Sequence, residues 1–155
     1  SLADLLKDLR TGGGVAEQAV GRLVACADPK TSAGVAKVLL KPDAGSDVRR
    51  YAARVLGGRK AADQLDALGR VLLVEEEANA LLEMLAAVGE INDPAGGEAV
   101  LRFLKRRGEY LANAPNHVAD TKRFEKHARQ TPLVLQLAGI QFQAFGRAQE
   151  DRRTG

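Results

Sequence analysis

The tripeptide Val55-Leu56-Gly57 returns further along as Ala87-Val88-Gly89, and at the same interval upstream the chain reads Leu23-Val24-Ala25. Asp28-Pro29 returns as Asp93-Pro94, close to two such intervals on. Between these marks the apolar positions run in step: Val35, Ala67 and Val100; Ala36, Leu68 and Leu101; Leu39, Val71 and Leu104. Val38 is the exception, matched by Arg70 and Phe103. A regular interval of this length, with two helices per unit, constrains the fold strongly. One such unit cannot bury its own apolar face, so successive units must stack.

Composition points the same way. The 26 Ala and 21 Leu against two Ile favour helix over strand. The longest apolar runs fall far short of the roughly 20 residues that span a bilayer.

The punctuation gives each unit as helix, turn, helix. A helix from Leu2 to Arg10 meets Gly12-Gly13-Gly14, and a second runs from Val15 to Ala27. Asp28 reads as an N-cap and Pro29 as the first helical residue, because Pro lacks an N–H that would be orphaned there. That helix stops at Pro42. Asp47 reads as the next N-cap, and Gly57-Gly58 as its helix's end. Helices over about 60–74 and 77–89 follow, then one from Asp93-Pro94 to about Asn113, another over 117–129, and a last from Thr131-Pro132 to about Gln149. Residues 1–149 thus form one domain, and 150–155 a polar tail.

The segment from Asp28-Pro29 to Gly57, with Asp47-Val48-Arg49 opening its second helix and Ala52-Ala53…Leu56-Gly57 closing it, resembles the HEAT repeat family, including its short bacterial variety. In the neighbouring units Ala80-Leu81 and Ala16-Glu17 stand where Val48-Arg49 stand, so the Arg of the pattern is absent there. The resemblance implies a right-handed α-α superhelix, a HEAT-like solenoid of about four helix pairs plus a terminal helix, with second helices lining the concave side. It also implies that Arg49 bridges repeats through an acidic partner such as Asp47.

Catalytic constellations do not assemble from the sequence. Cys26 is the only cysteine, which excludes an internal disulfide and a multi-cysteine metal site, and its apolar run predicts a small buried hydrophobe. His117 and His127 are ten apart, off the one-turn spacing of a two-His metal site. Glycines 12–14 lack the Lys-Ser/Thr of a phosphate loop, so they read as a turn. Glu75, Glu76 and Glu77 read as exposed carboxylates favoured by a helix dipole. The expectation is no enzyme, no cofactor and no metal.

Binding features remain. Residues 1–92 carry 12 Lys/Arg against 13 Asp/Glu, while residues 93–155 carry 11 against seven. At 100° per residue, Lys126 and Arg129 fall within about 40° of Lys122, opposite Phe124, with Arg123 flanking. Arg49, Arg50, Lys122, Arg123, Lys126 and Arg129 are therefore the candidate partner-binding residues. The final helix is apolar around an arc wider than one neighbour needs, so it either folds across the end of the stack or docks elsewhere. The expected function is a non-enzymatic interaction or scaffolding module, binding another protein or another domain of its own polypeptide and no membrane. The alternative is a nucleic-acid-binding domain using the C-terminal basic stripe. The chain opens on Ser1 and its only methionine is Met84, so it reads as a piece of a longer protein. That leaves the compartment open, with the cytoplasm favoured.

Overall fold

The computed structural model describes residues 1–113, 136–145 and 147, and among these every regular element is helical. Helix α1 spans Leu2–Thr11, α2 Gly13–Ala25, α3 Thr31–Leu40 and α4 Ser46–Gly58. A 3-10 turn, Ala62–Gln64, leads into α5 (Leu65–Val74), followed by α6 (Ala78–Ile91) and α7 (Ala95–Asn113). Residues 136–145 are also helical.

Local chemistry sets these limits. Each Asp-Pro forms a turn ahead of its helix rather than the helix's first residues. Asp28 Oδ1 accepts from the Lys30 N–H at 2.8 Å, and Asp93 Oδ1 from the Ala95 N–H at 3.0 Å. Helices α3 and α7 therefore begin only after those prolines. Asn92, in the left-handed region with φ 53°, ends α6.

Sequence neighbours pair, α1 on α2, α3 on α4 and α5 on α6, and each helix also packs on the one two places along. The result is two layers: α1, α3, α5 and α7 in one, α2, α4 and α6 in the other. Helix 136–145 lies beside α6, where Gln141 Nε2 donates to the Leu85 carbonyl. Its Ala138, Gln141 and Phe145 are buried, while Ile140 and Phe142 are exposed.

The recurring glycines mark where second-layer helices come closest. A Cβ on Gly57 would lie 3.0 Å from Ala87 Cα, so α4 and α6 meet nearly backbone to backbone there. A Cβ on Gly89 would lie 2.9 Å from Gln141 Nε2. The Leu-Gly and Val-Gly pairs thus place a buried side chain next to a point of close approach.

The second layer keeps the interval read from the sequence. Val20, Ala52 and Met84 are equivalent and buried, as are Leu23, Val55 and Ala87. The first layer departs from it. Its matching buried positions are Val35, Leu68 and Val100, then Val38, Val71 and Phe103, so the step from α3 to α5 is one longer than the step from α5 to α7. This corrects the register read from the sequence, which placed the longer step between α5 and α7 and so set Arg70 opposite Val38; the structure places it between α3 and α5, and the Arg70 side chain is 69% exposed. Leu56, Leu68 and Leu85 are fully buried, while Leu101 and Leu104 are only half buried and Val100 and Phe103 take the core positions in α7.

Candidate functional site

The polar side chains of α4 reach both its second-layer neighbours. Arg49 Nη1 donates to Glu75 Oε2 at 2.8 Å, an ion pair whose side chains are only 13% and 3% exposed. Glu75 is held further by Ser46 Oγ, which donates at 2.7 Å, and by the Glu77 N–H at 3.1 Å. Burial pulls the Glu75 carboxyl upward, but the hydrogen bonds from Arg49, Ser46 and Glu77 outweigh it, and the group sits below its ordinary value. Two expectations are corrected here. Glu75 is a buried anchor rather than an exposed helix-start carboxylate; Glu77 takes that role, capping α6 with its side chain. Arg49 bridges to Glu75 rather than to Asp47, because residues two apart on a helix point to different sides.

Asp47 instead reaches the preceding unit, where its Oδ2 accepts from the Gly13 N–H at 3.0 Å at the start of α2. Gly12 is required at that junction. Its φ is 79°, and a Cβ there would stand 2.7 Å from Asp47 Oδ2. Each carboxylate thus ties one unit to the first turn of a second helix in the unit before it.

Arg50 and Arg54 enclose Tyr51. The guanidinium carbons stand 4.9 and 5.4 Å from the ring centroid, Arg50 Nη2 donates to the Tyr51 hydroxyl at 3.1 Å, and Arg54 pairs with Glu83 of α6. Tyr51 is buried. Arg50 is half-buried, with its Nε lacking a hydrogen-bond partner, and Arg54 is exposed. Cation–ring contacts of this kind are worth about 0.5–1 kcal/mol each at partly exposed sites. They hold the two guanidiniums in fixed positions on the outer ridge of α4.

Arg59 was not singled out by the sequence. Its Nη1 donates to the carbonyls of Leu23, Val24 and Cys26 at 2.9, 3.1 and 2.7 Å, and Nε donates to Ser32 Oγ at 2.9 Å. It closes the open carbonyl end of α2 from the far side of the following pair. Cys26, at that helix end, is half exposed rather than a core hydrophobe. The Thr31 hydroxyl and then the Asp28 backbone hold its thiol below the usual value.

Lys122, Arg123, Lys126 and Arg129 lie outside the described residues, as do His117 and His127. Of the six candidate residues the structure therefore describes two: Arg49, an internal tie, and Arg50, fixed on a partly open ridge. Among the described residues no three His, Cys, Asp or Glu side chains gather as a metal site, and no helix is long and apolar enough to cross a membrane. No family model, curated protein or solved structure matches the chain.

Proposed function

We propose that this chain is a non-enzymatic protein-interaction module: a short HEAT-like, right-handed superhelical stack that offers its second-helix layer to a partner. The single observation that carries the reading is the layering, in which alternate helices pack on one another and build a continuous outer surface from α2, α4 and α6. Arg50 and Arg54 are the fixed cations of that surface. Lys122, Arg123, Lys126 and Arg129 extend the same reading toward the C-terminus, as a stripe for an acidic protein or for another domain of the same polypeptide. Arg49 leaves the partner-binding set, because its charge is met by Glu75 inside the stack.

The test is affinity capture with the chain as bait, run beside two variants, R50E/R54E and K122E/K126E/R129E. A protein retained by the wild type and lost by either variant supports the reading. Retention unchanged by both variants rules these residues out. A steep loss of affinity for generic duplex DNA with added salt would favour the nucleic-acid alternative instead. Turnover of a substrate with a defined pH optimum would end the non-enzymatic reading.

A further inference from the structure

The first-helix layer carries a surface that the reading above does not use. Helices α1, α3 and α5 end side by side, while α7 runs on past them to Asn113. Arg10 of α1 and Lys41 after α3 line one depression of about 130 Å³. Arg49 donates both to the Lys41 carbonyl and to Glu75, so α3 and α5 end at the same side chain. The first halves of α5 and α7 meet along a shallow groove of about 180 Å³. Matching the buried positions makes Lys7, Lys37, Arg70 and Arg102 equivalent, one exposed cation per unit on the outward ridge.

One turn further on, the ridge carries Arg10 on α1, Leu40 and Lys41 at α3, Leu73 and Val74 on α5, and Lys105 and Arg106 on α7. Arg70 and Arg102 are paired along their own helices with Asp66 and Glu98, which lie toward the N-terminal side. Asp43 is the acidic residue that shares the Arg10 depression. The edge is therefore basic at the ends of α1 and α3 and midway along α7, with Leu40 and the aliphatics of α5 set between. Helix dipoles account for cations at helix ends. They do not account for Leu40 and Leu73 at 37% exposure or Val74 at 64%.

We propose that this edge binds an extended, acidic segment of a partner protein in which carboxylates alternate with aliphatic side chains. Charge complementarity selects an acidic occupant. The exposed Leu and Val distinguish it from a phosphate backbone, which has nothing to place on them. Packed helices stand about 8–10 Å apart, and a chain in the polyproline-II conformation advances about 3.1 Å per residue and returns every third side chain to the same face. A carboxylate at every third residue therefore meets successive helices, and about nine residues carry three of them, enough to meet three neighbouring helices. This goes beyond the second-helix reading: it names a different face and the chemistry of what that face takes.

The probe is a fluorescent peptide of three Glu-Leu-Ser repeats, with its Gln-Leu-Ser analogue and a short duplex DNA as comparisons. Binding is followed by anisotropy, with circular dichroism as the check on folding. The Glu peptide is expected to bind and the Gln analogue to bind at least about tenfold more weakly. The variant K37E/K41E/K105E should lose about tenfold or more, and the milder K37Q/K41Q/K105Q should lose less. R50E/R54E, on the other layer, should bind as wild type does; loss in that variant alone would move the site to the second-helix face and overturn this proposal without touching the interaction reading. No binding of the Glu peptide, equal binding of the Gln analogue, unchanged binding by both lysine variants, or tighter binding of the duplex would each overturn it.

Discussion

Replacing Glu75 with Ala removes the acceptor for Ser46, Arg49 and the Glu77 N–H in one step. It also leaves the Arg49 charge inside the stack. Removing one member of a buried ion pair costs about 3–5 kcal/mol. Arg49 keeps 13% exposure and a long contact to the Lys41 carbonyl, which places E75A at the low end, about 3 kcal/mol. For a domain of this size that corresponds to a drop in Tm of about 6–12 °C. Urea unfolding at neutral pH, read by far-UV circular dichroism, measures it directly. The acid limb gives a second reading. The folded carboxyl sits below its ordinary value of 4.5, so the unfolded chain holds this proton more tightly. The contribution is complete above that value and is lost as pH falls through the lower folded value. Wild type and E75Q should therefore converge in acid. A loss within about 0.5 kcal/mol for E75A, the range of ordinary surface changes, would refute the buried tie and return Arg49 to the surface.

Leu85 is fully buried between α6 and its neighbours, so L85A should cost about 2–5 kcal/mol in the same unfolding assay. Removing Arg59 frees three carbonyls at the end of α2; R59A should cost about 1–3 kcal/mol and speed amide exchange in the last turn of that helix. G12A combines a strained φ of 79° with a Cβ 2.7 Å from Asp47, and should destabilise by more than about 1 kcal/mol. The G12A penalty should shrink in a D47A background if that close approach is the cause.

The helices were legible because their limits are local. Glycines at 12–14, Pro42, and the Asp-Pro pairs act within a turn of where they stand, and α1 to α7 lie close to the ranges the sequence predicts. Register was legible in one layer only. The step from α3 to α5 is one longer than the step from α4 to α6, so a position is gained at the 3-10 connection after α4 and given back in the short turn before α6. A uniform period cannot describe both layers. The mismatch at Arg70 was the sequence's own mark of that shift, since a cation cannot replace Val38 in the core.

The destinations of the charged residues were not legible, and the reason is their distance along the chain. Gly13 to Asp47 spans 34 residues, Arg49 to Glu75 26, Arg54 to Glu83 29, and Arg59 to the Leu23 carbonyl 36. Each tie reaches about one repeat, because stacking brings a residue beside its counterpart in the next unit rather than beside its sequence neighbour. Pairing Arg49 with Asp47 followed proximity in sequence, which helix geometry forbids at a separation of two. Separations spread this widely leave Glu76, Glu77 and Glu90 also within reach of these arginines, so spacing alone does not pick out Glu75 and Glu83. A carboxylate one repeat away does not by itself bury a cation: Arg49 is drawn inside by Glu75, whereas Arg54 stays exposed although it meets Glu83, and Lys7, whose counterpart on α3 is Lys37, is exposed as well.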